Sequence, residues 1–330
     1  MRSVPLPLRP GVRLTRLGFG GAPIGNLYAA LPDERARVTV DAAWDNGIRY
    51  FDTPPHYGLG LSETRLGHAL AARPREELVV STKVGRLLVP VRGEVAGRDT
   101  EGFDVPAAFR RVRDYSRDGV LRSIEGSLTR LRVERLDVVL VHDPDDHWQQ
   151  ASSQAVPALC ELRDQGLIGA VGVGMNQSQM LARFVAETDI DVVMCAGRYS
   201  LMEQPALADL LPAAADRGVG VIAVGVFSSG LLARADVPTG AHYNYEPATA
   251  EVLAKARAIA ALCRDHGSSL PAAAVHFALA HPAVVSVGLG MSTSEHVVDN
   301  VALVSSPPPP ALWAELQDRG LLAPEAPVPA

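Results

Sequence analysis

Cysteine is scarce in this sequence, and long apolar runs are absent. The three cysteines, Cys160, Cys195 and Cys263, cannot form a complete set of pairs, and each lies among apolar residues as a core-filling side chain would. We therefore expect a reducing compartment and a cytoplasmic location. No run reaches the roughly 18 to 20 apolar residues of a membrane span. The first residues also lack the apolar stretch of a signal peptide, so we expect no membrane association.

Positive charge is not in excess either. The 330 residues include 31 lysines and arginines against 37 aspartates and glutamates, for a formal net charge of -6. A nucleic-acid partner would need a basic face, so this balance argues against one and favours a small-molecule substrate. With 47% hydrophobic residues, the chain is long enough to form one large buried core.

Short apolar runs alternate with mixed apolar and polar segments, which is typical of parallel β/α units. The predicted strands are 17–20, 49–52, 78–82, 137–141, 170–174, 192–195, 219–224 and 284–288. The predicted helices are 34–46, 62–72, 118–132, 152–165, 178–187, 204–217, 248–266 and 294–304, with additional helices at 270–280 and 313–319. Eight such units predict an α/β fold, a (β/α)8 TIM barrel. We expect an N-terminal β-hairpin, extra C-terminal helices, and one domain over 1–330 with a mobile, proline-rich tail from about 306.

Two connections are too long for simple turns. They span 85–119 and 227–247, and neither shows a clear helical or strand pattern. Long loops of this kind are commonly lids or binding loops. We therefore expect substrate specificity to depend on them.

Polar residues interrupt the chain at the ends of three predicted strands. Asp52 ends one strand and Tyr57 follows it, while Lys83 and His142 end the next two. A barrel gathers these strand ends at one mouth, so the four side chains are expected to face one cavity. A single lysine at a strand end more often reaches solvent, but a buried one needs a counter-charge, and Asp52 is the natural candidate.

The motifs around these residues resemble those of the aldo-keto reductase family over nearly the whole chain. They are GIRYFDT at 47–53, YG at 57–58, SE at 62–63, LG at 66–67 and GLIGAVGV at 166–173. The resemblance implies that Tyr57 is the general acid/base and Lys83 the cation that activates it. It likewise implies that Asp52 holds Lys83 and that His142 orients the substrate oxygen.

Elementary chemistry is consistent with these roles. A free phenol is a poor base at neutral pH, and a nearby ammonium group stabilises the phenolate. Tyr57 would then accept the proton of a substrate hydroxyl while hydride leaves the same carbon, and the reverse would occur in reduction. His142 would donate to the substrate oxygen as charge develops there. This chemistry requires no metal.

No G-x-G-x-x-G fingerprint occurs at a strand–helix turn, so a Rossmann domain is not expected. The family resemblance implies instead a nicotinamide cofactor lying over the barrel mouth. It assigns the cofactor contacts to Asn176 at the nicotinamide amide, Phe227 as a stacking residue, Gly230 and Leu231 beside the pyrophosphate, and Ser292, Glu295, His296 and Asn300 around the adenosine.

The choice between NAD and NADP depends on residues 290–293, which read GMST. Relatives that prefer NADPH usually carry lysine or arginine there for the 2′-phosphate, and a phosphate without a cation loses a charge-assisted bond. The sequence therefore favours NAD, although a basic residue from another loop would reverse this preference.

Within the family, the sequence is similar to the branch that oxidises sugars at the anomeric carbon, the L-fucose and D-threo-aldose dehydrogenases, together with pyridoxal and L-galactose dehydrogenases. The segments that carry this similarity are GVGMNQ at 172–177, AGRYSL at 196–201 and VFSSGLL at 226–232. The resemblance implies NAD(P)-dependent oxidation of an aldose to its lactone. The alternatives are a general NADPH-dependent aldehyde or ketone reductase and a non-catalytic, redox-sensing NAD(P)H-binding subunit. The oligomeric state is left open.

Two further patterns have competing interpretations. The segment 142–147, HDPDDH, contains metal-ligating residue types, but its spacing matches no standard zinc motif. We therefore expect no metal. Trp148, Tyr243 and Tyr245 either line the substrate cleft or are ordinary exposed or core aromatics.

Overall fold

A closed barrel of eight parallel strands forms the centre of the molecule. The structure is a computed structural model that describes residues 1–95, 97–244 and 246–329. The barrel strands are β1 (Leu17–Gly20), β2 (Tyr50–Asp52), β3 (Val79–Val84), β4 (Leu136–His142), β5 (Ile168–Met175), β6 (Val192–Ala196), β7 (Gly220–Val224) and β8 (Val284–Gly290). They pair in chain order, and β8 closes the barrel against β1. The expected (β/α)8 fold is confirmed.

Helices surround the barrel. They are α1 (Asp33–Asp45), α2 (Leu61–Leu70), α3 (Arg117–Leu131), α4 (Val156–Asp164), α5 (Ser178–Glu187), α6 (Leu210–Arg217), α7 (Ala250–Asp265), α8 (Leu270–Ala280), α9 (Ser294–Ser305) and α10 (Pro310–Asp318). Their apolar faces cover the strands, and all seven residues of β4 are buried as a result. Burial on both sides explains why these strands read as continuous apolar runs.

Strand register brings the polar strand ends together. Asp52 of β2 pairs with Ser81 of β3, and Lys83 lies two residues further along β3. Because side chains alternate between the two faces of a strand, Ser81 and Lys83 share a face with Asp52. His142 ends β4 beside Gly174 of β5. The register therefore directs these polar groups toward the carboxyl-terminal mouth of the barrel.

In the described parts of the chain, three two-stranded antiparallel sheets supplement the barrel. The N-terminal hairpin, Ser3–Pro5 with Arg13–Thr15, was expected. The segment 85–119 was expected to lack regular structure, but it contains a second hairpin, Arg86–Pro90 with Phe109–Arg113, which we call the mouth hairpin. Three of the five residues of 109–113 are arginines, so this strand lacks the alternation of apolar and polar residues that would have predicted it. Within 227–247, His242–Tyr243 pairs with Glu246–Pro247.

Two predicted helices differ in detail from the structure. The helix predicted at 152–165 belongs to a longer helical run, in which Trp148–Gln150 is followed by a π-helical stretch, Ala151–Ala155, and then by α4. The segment 204–217 is divided into a 3-10 turn, Pro205–Leu207, and α6. The Asp209 carboxylate accepts a hydrogen bond from the backbone N–H of Leu210, so a new helix begins where one continuous helix was predicted.

The tail from about 306, expected to be mobile, packs onto the barrel. Helix α10 contacts helix α7, and Trp313 is only 1% exposed. Leu322 and Ala326, beyond the helix, are also buried. The prolines of this segment suggested mobility, but the apolar residues between them form part of the core.

Replacing Trp313 with alanine tests the packing of this tail. Removing a fully buried indole should lower the free energy of unfolding by about 3–5 kcal/mol, because it removes apolar contacts and leaves a cavity. Denaturant unfolding measures this change. The exposed Ala314 of the same helix provides the control, and Ala314→Gln should change stability by no more than about 0.5 kcal/mol. Equal stability of Trp313→Ala and Ala314→Gln would contradict the packing.

Candidate active site

A cavity of about 290 Å³ opens at the carboxyl-terminal mouth of the barrel. Asp52, Tyr57, Lys83 and His142 all line it, as their positions at the strand ends predicted. The cavity therefore brings together a phenol, an ammonium group, a carboxylate and an imidazole.

Lys83 and Asp52 form a buried ion pair at this cavity. The Lys83 Nζ lies 2.7 Å and 2.9 Å from the two carboxylate oxygens of Asp52, and the residues are 2% and 6% exposed. Asp52 also accepts a hydrogen bond of 2.6 Å from the Ser81 hydroxyl, which lies 3.0 Å from the Tyr50 hydroxyl. These contacts compensate for the removal of both charges from water, so the interpretation of Lys83 as a solvent-reaching side chain is wrong.

The Lys83 ammonium also lies close to the Tyr57 ring. Its Nζ is 5.3 Å from the ring centroid, within the range of a cation–π contact. The backbone N–H of Tyr57 donates to the carbonyl of Pro54, which closes a turn between β2 and the phenol. Gly25 packs so tightly beneath this turn that a side-chain carbon there would lie 2.9 Å from the Tyr57 backbone. Tyr57 is therefore held by the turn and by the segment packed against it.

His142 is neutral at physiological pH. Burial lowers the pKa of its imidazole well below 6.5, and the positive charge of Lys83 lowers it further. A neutral imidazole carries one N–H and one acceptor nitrogen, so His142 retains the capacity to donate one hydrogen bond.

Three groups at the mouth were missed by the sequence analysis. His56 and Asp143 line the cavity, and Arg86, the first residue of the mouth hairpin, contacts both of them. His56 and Asp143 adjoin Tyr57 and His142 in the sequence, and that adjacency was the available signal. Arg86 gave no comparable signal, because its contact with Asp143 joins residues 57 positions apart.

A second cavity, of about 640 Å³, adjoins the first. Gly225, Gly288 and Gly290 line both cavities. Of the predicted cofactor residues, Asn176 lines the first cavity, and Phe227 and Gly230 line the second. No atom lies within 4 Å of the position that a side-chain carbon would occupy at Gly230. An elongated ligand across the mouth fits this arrangement.

The remaining predicted cofactor residues line neither cavity. Leu231 is buried in the core. Ser292, Glu295, His296 and Asn300 follow Gly290, on and just before α9. The Ser292 hydroxyl lies 3.2 Å from Nδ1 of His296, and Asn300 is largely buried. These assignments stay predictions.

Two of the aromatic candidates, Trp148 and Tyr243, are not among the lining residues of either cavity. Trp148 packs on Phe184 with ring centroids 4.5 Å apart, and Tyr243 packs against the core. Both support the core interpretation, while Tyr245 lies outside the described residues. In the described parts of the chain, no cluster of three potential metal ligands occurs. None of the helices described has the length and apolarity needed to span a membrane.

The architecture defines the class of protein: a closed parallel β/α barrel with its polar groups at the carboxyl-terminal mouth. Within this class, the chain belongs to the aldo/keto reductase family, whose model matches residues 16–318. The resemblance drawn from the sequence is therefore confirmed, and the chain is an oxidoreductase of this family.

Individual relatives are similar over nearly the full length. The chain is 43% identical to a D-threo-aldose 1-dehydrogenase of a Pseudomonas species, covering 96% of this chain and 98% of the relative. It is 37% identical to a pyridoxal 4-dehydrogenase of Microbacterium luteolum, with 96% of each chain covered. Among solved structures, a glycerol dehydrogenase of Gluconobacter oxydans aligns with a TM-score of 0.77 and 26% identity, covering 99% of this chain and 97% of that chain.

The lowered pKa of His56 predicts how the free energy of unfolding depends on pH. Burial, reinforced by Arg86, Arg111 and Lys83, lowers the pKa of His56 from 6.5 to about 2. Between these values the unfolded chain binds a proton at His56 that the folded chain does not, so the free energy of unfolding falls as pH falls below 6.5. Between pH 7.5 and pH 5, the free energy of unfolding should therefore fall by about 2 kcal/mol less in His56→Gln than in the unsubstituted protein.

Urea unfolding of both proteins at several pH values measures this difference. Comparison above pH 7.5 provides the control, since the histidine is neutral there in both the folded and the unfolded chain. In that range the free energies of unfolding of the two proteins should change with pH in the same way. Parallel curves down to pH 5 would show that His56 is protonated in the folded protein as readily as in the unfolded chain.

Proposed function

We propose that the protein is an NAD(P)-dependent dehydrogenase that oxidises an aldose at C1 to the lactone. The observation that carries the proposal is the buried Lys83–Asp52 pair beside Tyr57 in the mouth cavity. The 43% identity to a D-threo-aldose 1-dehydrogenase supports an aldose as the substrate.

In this reaction Tyr57 is the general base. Its phenolate takes the proton of the C1 hydroxyl as the C1 hydrogen leaves as hydride, and the carbon becomes the lactone carbonyl. Lys83 stabilises the phenolate, and Asp52 keeps the ammonium charged and in position. The neutral His142 donates to the substrate oxygen, which aligns the reacting carbon with Tyr57.

When bound, the nicotinamide cofactor accepts the hydride in oxidation and supplies it in reduction. Asn176 would hold its amide, Phe227 would pack on its ring, and Gly230 and Leu231 would approach its pyrophosphate. Ser292, Glu295, His296 and Asn300 would surround its adenosine. Gly230 lines the open second cavity, where its bare backbone leaves room for a phosphate group.

The preferred cofactor is NAD. Residues 290–293 carry no cation. The Ser292 hydroxyl lies 3.2 Å from Nδ1 of His296, so no basic side chain lies between these two residues.

A general NADPH-dependent aldehyde or ketone reductase is the second candidate. The same Tyr57, Lys83 and His142 would serve reduction, and the relative affinities for NADH and NADPH distinguish the two. A non-catalytic redox-sensing subunit is less consistent with the site, because binding alone gives no reason to bury a lysine–aspartate pair beside a phenol.

A substrate panel tests the proposed reaction. With NAD and L-fucose, D-arabinose, L-galactose or pyridoxal, at least one compound should produce absorbance at the reduced-nicotinamide band, and NADP should support a lower kcat/KM. An absence of turnover with the whole panel would reject the aldose proposal. Turnover of simple aldehydes with NADPH alone would favour the general reductase.

Replacing Tyr57 with phenylalanine tests its role. Loss of the hydroxyl removes the proton acceptor, so kcat should fall by about 10²- to 10⁴-fold, while the affinity for NADH, measured by fluorescence titration, should change little. Tyr199, which is buried and lines neither cavity, provides a matched tyrosine control, and Tyr199→Phe should retain kcat within about twofold of the unsubstituted enzyme. Near-normal turnover by Tyr57→Phe would remove this residue from the mechanism.

A further inference from the structure

Asp143 has a backbone conformation that residues other than glycine adopt infrequently. Its φ is +42°, in the left-handed region, where a non-glycine residue costs on the order of 1–3 kcal/mol. Two contacts maintain this conformation: the backbone N–H of Asp143 donates to the carbonyl of Gly174 at 3.0 Å, and the buried hydroxyl of Tyr115 lies 2.8 Å from the carbonyl of Asp143. Tyr115 is itself fixed against Gly85, where a side-chain carbon would approach its ring to 2.2 Å.

The strained backbone places the Asp143 carboxylate at the cavity. Its Oδ2 accepts a hydrogen bond of 2.6 Å from Nη2 of Arg86 and lies 3.4 Å from Nε2 of His142. Among the residues that the structure describes, none donates to Oδ1 of Asp143. A carboxylate offers about four acceptor positions, so Arg86 fixes this group and leaves acceptor capacity for a ligand.

His56 adds a donor to the same wall. Its Nδ1 lies 3.4 Å from Nη1 of Arg86, which can only donate, and 3.8 Å from a Glu101 carboxylate oxygen, which is beyond hydrogen-bond distance. We therefore assign Nδ1 as the acceptor and the single proton of the neutral ring to Nε2. The rings of His56 and His142 are 5.6 Å apart, which places this donor beside the oxygen-orienting histidine. Arg86 thereby fixes both the carboxylate of Asp143 and the tautomer of His56.

A carboxylate acceptor and an imidazole donor are complementary to a hydroxyl group, which both donates and accepts. We propose that Asp143, positioned by Arg86 and assisted by His56, binds a hydroxyl group on the carbon next to the reacting carbon and thereby selects polyhydroxylated substrates. The inference rests on the proposed function, because it concerns the substrate of the same site. A site built to bind a hydroxyl discriminates strongly against an analogue that lacks it, because the polar groups are then left unpaired.

A purely structural role for the Arg86–Asp143 pair makes a different prediction. If the pair only ties the mouth hairpin to the end of β4, its loss should affect all substrates alike. The informative quantity is therefore the ratio of kcat/KM values for two substrates that differ only in hydroxyl groups. Glyceraldehyde and propanal form such a pair, and both can be followed by oxidation of the reduced nicotinamide.

Asp143→Gly is the most direct variant, because glycine adopts a positive φ without strain while the carboxylate is removed. The unsubstituted enzyme should prefer glyceraldehyde. In Asp143→Gly this preference should fall by about 10- to 100-fold, as expected for a hydrogen bond to a charged group, and most of the change should appear in the KM for glyceraldehyde. Asp143→Asn tolerates the same backbone conformation and should lose part of the preference.

Asp146→Asn is the matched control, since it removes an exposed carboxylate three residues away and should leave the ratio unchanged. Equal losses on glyceraldehyde and propanal in Asp143→Gly, or an unchanged ratio, would overturn the inference. The outcome is separable from the proposed function. A preference that depends on Asp143 in an enzyme oxidising no aldose would reject only the function, while unaltered aldose kinetics in Asp143→Gly would reject only the hydroxyl subsite.

Discussion

The buried ion pair between Lys83 and Asp52 is the constraint on which the mouth of this barrel depends. Neither side chain has appreciable access to water, so each requires the other, and removing one partner of such a pair typically costs about 3–5 kcal/mol. The pair requires β2 and β3 in a fixed register, with Ser81 beside Asp52. Tyr57 then lies over the ammonium group because the turn after β2 returns it to the same cavity.

The same positive charge determines the state of the neighbouring histidines. Burial is the largest reason that His56 and His142 have lowered pKa values, and Lys83 and Arg86 lower both further. The mouth thus combines a charged lysine with two neutral imidazoles. Neutral rings can donate and accept, whereas imidazolium groups could only donate and would repel the lysine. This division of charge is consistent with the proposed function, in which the phenol transfers the proton and the imidazoles orient the substrate.

Much of this arrangement followed from the sequence because strands and strand ends carry strong local signals. Apolar runs separated by helical segments predicted the barrel, and polar residues at strand ends predicted that Asp52, Lys83 and His142 would meet. The missed features depend on contacts between distant segments. The mouth hairpin carries arginines at positions where a strand usually alternates apolar and polar residues. The contact of Arg86 with Asp143 forms only when that hairpin folds over the barrel. The packed tail was missed because its prolines masked buried residues such as Trp313.

A double-mutant cycle on Lys83 and Asp52 tests the central claim most directly. If the pair acts as one unit that activates Tyr57, Lys83→Met and Asp52→Asn should each reduce kcat/KM for the aldose severely. The double variant should then be no more than about tenfold slower than the worse single variant. Losses that multiply, so that the double variant shows the product of the two single effects, would contradict the account, because the two residues would then act independently.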